Sequence, residues 1–115
     1  MSTSSLPLLT LTQVAVSAIT ACRFVTALGA QAGADASTLG AACTPTAIGE
    51  AFSADVRGTT TVEAGAAIAL GATLKSDASG RAITWATTGA KVGIALEAAT
   101  AAGQFIEVLL VDNAA

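Results

Sequence analysis

Alternating apolar and polar residues predict β-strands along much of the chain. The clearest run is residues 50–57, in which Phe52, Ala54 and Val56 alternate with more polar positions and would face a core. A strand of this kind buries one face and leaves the other to water or to a polar partner. Because period-two patterns dominate, we predict a mainly β protein with little helix.

Two other segments predict further strands of the same domain. Residues 13–21 alternate as well, and their spacing predicts one buried face formed by Val14, Val16 and Ala18. Residues 72–85 predict a hairpin, because Asp and Ser favour the turn through side-chain hydrogen bonds and Gly80 can adopt a positive φ.

A short pattern occurs twice in the chain, at an offset of about 53 residues. Residues 39–42 precede a strand that follows Gly49, and residues 92–95 precede a strand that follows Gly103. When the two glycines are aligned, the inward-facing positions of the two strands are apolar in both copies. The outward-facing positions differ, so we expect functional differences there.

The last strand is apolar on both faces, unlike its counterpart. Phe105, Leu109 and Val111 stand where an exposed strand would carry polar residues. A strand that is apolar on both faces is usually covered on both. Two interpretations remain open, a central strand within one domain and a subunit interface formed by these three residues.

The N-terminal residues 1–12 predict an extended arm that precedes a single β-rich domain, residues 13–115. Pro7 excludes a helix interior there, and the alternative is a disordered terminus. Closely spaced leucines favour an arm that docks on a partner. These leucines are Leu6, Leu8, Leu9 and Leu11.

Composition excludes several function classes. Charged residues make up 11% of the chain, the net charge is −3, and the five cations are scattered. Nucleic-acid binding needs clustered Lys and Arg, so we expect no nucleic-acid partner. The N-terminus lacks a basic targeting region, and the apolar stretch of residues 6–21 is too short and too polar for a membrane span.

No residue pattern indicates catalysis or cofactor binding. The chain has no His, which removes the usual general base and activator of nucleophiles. Cys22 and Cys43 form no metal-binding pair, and we interpret both as buried, reduced, small apolar residues. The sequence therefore predicts no enzyme activity, no metal and no cofactor.

Several segments in order resemble the small capsid decoration, or cement, proteins of tailed bacteriophages. The resemblance covers roughly residues 13–111. Its most specific part is the Gly-x-x-Leu-Lys-x-Asp-x-x-Gly-Arg hairpin of residues 71–81, followed by Val-Gly-Ile-Ala at 92–95 and the C-terminal strand 103–110. The resemblance implies a small β-barrel or sandwich built from hairpins, without enzymatic activity.

The resemblance also implies a function. Such proteins bind the outer surface of an assembled capsid, bridge major capsid protein subunits and stabilise the shell against the pressure of packaged DNA. They often form trimers, so we expect a homo-trimer on the virion, assembled in the host cytoplasm, with the leucine arm bound to the capsid.

Two alternatives from other classes remain at this stage. One is a β-rich subunit of a phage tail, baseplate or other surface assembly, which would not bind emptied, expanded capsids. The other is a small enzyme or ligand-binding β-barrel, which would show a deep ligand-sized pocket in a folded monomer.

Overall fold

The structure, a computed structural model, describes residues 7–111 and contains only β-strands and connecting segments within that range. The eight strands are β1 (Pro7–Val14), β2 (Arg23–Val25), β3 (Gly40–Ala42), β4 (Ala51–Glu63), β5 (Thr73–Ser76), β6 (Ala82–Thr84), β7 (Gly93–Ala95) and β8 (Phe105–Leu110). The predicted mainly β, hairpin-built, single-domain fold is confirmed.

All strands join one antiparallel sheet that curves into a nearly closed barrel. Its order is β2-β3-β4-β8-β7-β5-β6, and β1 also pairs with β4. The first part of β4 pairs with β1 and β3, whereas its last residues, 59–63, pair with β8. Gly58, at φ 90°, lies between these two parts, so β4 bends there without losing its pairing.

The two parts of β4 belong to two copies of one structural unit. In the first copy Thr10 pairs with Asp55 and Val14 with Ala51. In the second copy the same ladder runs between residues 59–63 and β8. We call residues 10–56 unit 1 and residues 59–110 unit 2. The last strand of unit 1 is thus continuous with the first strand of unit 2.

The register of the other strands repeats as well. In unit 1 Ala41 pairs with Asp55, and in unit 2 Ile94 pairs with Leu109. The bridge between Ile19 and Thr46 has its counterpart between residues 68 and 99. The repeat predicted from residues 39–57 therefore extends over nearly the whole described chain.

The core repeats with the backbone. Seven buried residues of unit 1 have a buried counterpart at the equivalent position of unit 2. These pairs are Ala15 and Ala64, Ile19 and Ile68, Val25 and Leu74, Ala42 and Ala95, Phe52 and Ile106, Ala54 and Val108, and Val56 and Leu110. The predicted inward faces of both late strands are confirmed.

The predicted strand at residues 13–21 is wrong in its extent and its buried face. The strand ends at Val14, and Val14 and Val16 are 58% and 59% exposed. Ala15 and Ile19 are buried instead. After β1 the chain leaves the sheet and the period-two pattern no longer applies. Ala15 stays in the core beside the start of β4, since its N–H donates to the Glu50 carbonyl at 2.9 Å and its carbonyl accepts from the Gly49 N–H at 2.8 Å.

The hairpin predicted at residues 72–85 is confirmed as β5 and β6. The side chain of Asp77 organises its turn, because one carboxylate oxygen accepts from the N–H groups of Ser79 at 2.8 Å and Arg81 at 2.9 Å. The tip then reaches unit 1, where the Phe24 N–H donates to the Gly80 carbonyl at 2.8 Å. This hairpin therefore holds the two units together.

A glycine at the start of β3 allows close approach to β4. A Cβ atom at Gly40 would collide with the carbonyl oxygen of Asp55, and a Cβ at the equivalent Gly93 would lie 2.9 Å from the Leu109 carbonyl oxygen. Both units thus use the same small residue to bring two backbones together.

Gly40→Ala should lower the free energy of unfolding by about 2–3 kcal/mol, since the added methyl meets backbone that cannot move aside. Urea denaturation monitored by circular dichroism measures this. The matched control is Gly33→Ala, whose Cβ would meet nothing within 4 Å and which should change stability by less than about 1 kcal/mol. Equal effects of the two substitutions would contradict the close approach.

Candidate functional site

The leucines of the predicted arm lie on the surface of β1. Leu8, Leu9 and Leu11 are 84%, 47% and 42% exposed, and Leu6 lies outside the described residues. The register of β1 shifts at Leu9, so the side chains on either side of it do not follow simple alternation. The result is a strand that presents large apolar side chains to its surroundings.

The arm and the domain are in contact within the described chain. Residues 7–12 belong to β1 and pair with β4. Among the described strands, β1 pairs only with β4, so the edge on its other side has no paired strand. The predicted boundary after residue 12 stays a prediction, but the outer edge of β1 is a candidate for strand addition.

The residues predicted at a subunit interface lie on or beside β8. Phe105 is 51% exposed, Leu109 is 37% exposed and Val111 is half-buried. Strand β8 itself lies between β4 and β7. A strand therefore lies on each side of β8, and further contacts would be made mainly by its side chains.

A buried polar cluster lies where unit 1 meets unit 2. The Asp55 carboxylate accepts three hydrogen bonds, from the hydroxyls of Thr60 at 3.0 Å and Thr10 at 3.2 Å and from the thiol of Cys43 at 3.2 Å. Thr60 is fully buried and Asp55 is 7% exposed. Because the sequence pattern predicted an exposed position for Asp55, the cluster was not foreseen.

The cluster also affects the chemistry of Cys43. Burial of the thiol raises its pKa to about 11, and the hydrogen bond and charge of Asp55 act in the same direction against the opposing hydrogen bond of Thr60. Thiolate is the reactive form of cysteine. Cys43 is therefore protonated at neutral pH and donates a hydrogen bond to Asp55. The residue is exposed overall, so the prediction that it is buried is wrong.

At the equivalent place in unit 2 the side chains are apolar. Leu96 corresponds to Cys43 and Leu109 corresponds to Asp55, by the register of β3, β4, β7 and β8. Leu96 also lines an open cavity of about 280 Å³ together with Leu70, Glu97 and Ala98. The two units thus share a backbone and differ in the chemistry of this corner.

The charged side chains are largely engaged within the chain. Arg23 lies 3.1 Å from the Glu63 carboxylate, and Lys75 lies 2.7 Å from the Asp35 carboxylate. Lys91 lies over the ring of Trp85, 4.5 Å from its centroid. The described surface therefore carries no cluster of cations suited to phosphate binding.

The described residues hold neither a metal-binding cluster nor a membrane-spanning helix. No group of three or more Cys, Asp or Glu side chains between residues 7 and 111 is placed to hold a metal ion. Over the same residues, no helix is long and apolar enough to cross a membrane.

Asp55→Ala should lower the free energy of unfolding by about 1–3 kcal/mol, because the buried Thr60 hydroxyl and the Cys43 thiol lose their acceptor. Ser53→Ala, an exposed change on the same strand, is the control and should stay within about 0.5 kcal/mol. Chemical denaturation of both variants measures the difference. An Asp55→Ala variant as stable as the parent would contradict a structural role for the cluster.

Comparison with known proteins places these surfaces in context. The base of the head fiber protein gp8.5 of bacteriophage phi29 has a similar fold, with a TM-score of 0.73 over 90% of this chain and 93% of that one, at 21% identity. No curated protein sequence matches the chain. The model of the phage cement protein family matches residues 4–110, nearly the whole chain. The chain therefore belongs to the phage cement protein family, a family of capsid-associated structural proteins.

Proposed function

We propose that this protein binds the outer surface of the assembled capsid, bridges neighbouring major capsid protein subunits and stabilises the shell against the pressure of packaged DNA. The observation that carries the proposal is the family match over residues 4–110. The fold similarity to the base of a phage head fiber protein, which covers 90% of the chain, supports the same setting. The protein would join the virion in the host cytoplasm.

Strand β1 is the proposed capsid contact. Leu8, at 84% exposed, and Leu9, at 47% exposed, form an apolar surface next to an unpaired strand edge. An extended capsid segment could pair with this edge beside Leu8 and Leu9, with backbone hydrogen bonds providing affinity and the leucines providing specificity. Leu6, which precedes the described residues, would extend the same surface.

We further propose that the protein acts as a homo-trimer. Phe105, Leu109 and Val111 are the candidate interface, and the first two are large apolar side chains on the surface of the described chain. Exposed apolar residues that lie together commonly mark interaction sites. Several copies that each bind weakly would brace a shell through multivalency.

The proposed role requires neither catalysis nor a cofactor. The buried polar groups of the Asp55 cluster hydrogen-bond one another, and the cations are largely used in internal contacts. An acidic protein of net charge −3 suits the outside of a shell, away from DNA, because like charges repel. We therefore propose no direct contact with nucleic acid or membrane.

Leu8→Asp and Leu9→Asp should each raise the apparent Kd for emptied, expanded shells at least about 10-fold, because each places a charge in an apolar contact. Co-sedimentation of labelled protein with purified shells measures occupancy. Shell binding by the parent also separates a cement protein from a tail or baseplate subunit, which would not bind shells.

The matched control is Leu28→Asp, which changes an 80% exposed leucine. Its neighbours Ala27 and Gly29 hydrogen-bond Gln13 and Val16, at the end of β1 opposite Leu8 and Leu9, so this variant should leave shell occupancy unchanged. Thermal denaturation of all three variants checks that the domain stays folded. Unchanged occupancy of the Leu8→Asp and Leu9→Asp variants would contradict the role of β1, and a parent protein that fails to bind shells would contradict the proposed function itself.

A further inference from the structure

Three side chains, one from unit 2 and two from unit 1, form the contact between the units. Thr60, from the first strand of unit 2, contacts Asp55 and Cys43 of unit 1, at 3.0 Å and 3.6 Å. This contact buries Thr60 completely and leaves Asp55 only 7% exposed. The first strand of one unit thus covers a corner of the unit before it.

The strand register identifies the residues equivalent to Thr60, Cys43 and Asp55, at which no second unit of the chain makes this contact. Leu11 corresponds to Thr60, since Leu11 pairs with Ala54 and Thr60 with its counterpart Val108. Leu96 and Leu109 correspond to Cys43 and Asp55. Leu11 is 42% exposed and Leu109 is 37% exposed. Leu11 and Leu109 are therefore exposed at positions whose counterparts, Thr60 and Asp55, the chain buries between its own units.

The backbone shows the same relation. The N–H of Glu63 donates to the carbonyl of Cys22 at 2.9 Å, across the contact between the units. The counterpart of Glu63 is Val14 on β1, and the counterpart of Cys22 is Gly71 in unit 2. Val14 forms a non-hydrogen-bonded pair with Ala51, flanked by the 2.9 Å bond from Ala15 to Glu50, so its N–H points away from β4.

The backbone at Gly71 has a conformation similar to that at Cys22, with a positive φ at both residues. Cys22 has φ 61° and Gly71 has φ 83°, and a positive φ is uncommon for a residue with a side chain. In unit 1 this conformation presents the Cys22 carbonyl to Glu63 of unit 2. The same backbone in unit 2 presents a carbonyl at the surface of the described chain.

An open cavity lies beside these unit 2 residues. It measures about 280 Å³ and is lined by Leu70, Leu96, Glu97 and Ala98. In unit 1 the place next to Cys43, the counterpart of Leu96, is occupied by Thr60 of the following unit. The cavity therefore lies where a following unit would place its first strand.

We propose that a second copy of this chain occupies this corner, with its β1 placed against unit 2 as residues 59–63 are placed against unit 1. Leu11 of the neighbouring copy packs against Leu96 and Leu109, and the Val14 N–H of that copy donates to the Gly71 carbonyl. The contact joins unit 1 of one copy to unit 2 of the next, so it is heterologous. It forms a ring if the rotation that relates successive copies brings the last copy back to the first. The proposal deepens the self-association part of the proposed function and rests on it.

The chemistry of the corner sets the difference between the two contacts. Inside the chain a hydroxyl, a thiol and a carboxylate hydrogen-bond one another, and between copies three leucines pack. In each set the side chains match one another: polar groups meet polar groups within the chain, and leucines meet leucines between copies. A Leu11 side chain placed against Asp55, or Thr60 against Leu109, would leave a polar group without a partner. This mismatch keeps the neighbouring copy from displacing the chain's own second unit.

The experiment transfers the internal polar pair to the contact between copies. Leu109→Asp alone and Leu11→Asp alone should weaken self-association at least about 100-fold, because each buries a charge against leucine. Leu11→Thr combined with Leu109→Asp recreates the Thr60–Asp55 pair between copies and should recover association to within about 10-fold of the parent. Sedimentation equilibrium of the full chain gives the dissociation constants.

Ile48→Asp is the matched control. Ile48 is 70% exposed at the turn before β4, and its unit 2 counterparts at the turn before β8 are exposed too, so neither contact includes it. This variant should associate like the parent. Circular dichroism spectra that match the parent show that the single variants remain folded.

Two results would overturn the proposal. One is a parent chain that is monomeric at every concentration, and the other is retained association of both single Asp variants. If these variants associate but lose shell binding, the leucines contact the capsid and only this inference fails. If the parent associates as expected but never binds shells, the proposed function fails while the contact between copies stands.

Discussion

The antiparallel pairing of β4 is the constraint on which the rest of the structure depends. Its first residues complete unit 1 by pairing with β1 and β3, and residues 59–63 begin unit 2 by pairing with β8. A single backbone therefore fixes both registers and the relation between the two units. The close approach at Gly40 and the buried carboxylate of Asp55 both follow from this arrangement.

Much of the fold could be predicted from the sequence because period-two patterns and turn residues act locally. The hairpin around Gly80 and the core face of Phe52, Ala54 and Val56 depend on neighbours along the chain. The extent of β4 could not be predicted in this way, since Gly58 indicates a break in a local pattern. In the folded chain it is a bend within a strand that pairing on both sides maintains.

The full repeat was also missed, although the sequence contains a signal for it. Thr10 to Thr12 and Thr59 to Thr61 occupy equivalent places, and Ile19 corresponds to Ile68. The turn after β5 is longer than its counterpart in unit 1 and shifts the offset between copies. A comparison at one fixed offset therefore detects only the late strands. The sequence predicted which residues form the candidate surfaces. Which of these residues occupy equivalent positions in the two units could be seen only from the strand register.

The two units show how one backbone can serve two different contacts. In unit 1 the corner is polar and hydrogen-bonded, and in unit 2 the equivalent positions carry Leu96 and Leu109, of which Leu109 is 37% exposed. In the proposed assembly the duplicated unit provides the geometry of both contacts, and substitutions at a few side chains determine which one forms within a chain and which between chains. This division fits the proposed function, in which the protein folds as a single chain and then covers a shell in many copies.

A reconstruction of shells decorated with this protein tests the central claim most directly. Our account predicts that β1 of each copy lies against Leu96 and Leu109 of a neighbouring copy, on the outer surface of the shell, and that Leu8 faces the shell. Isolated single copies on the shell, with Leu11 and Leu109 exposed to solvent, would contradict it.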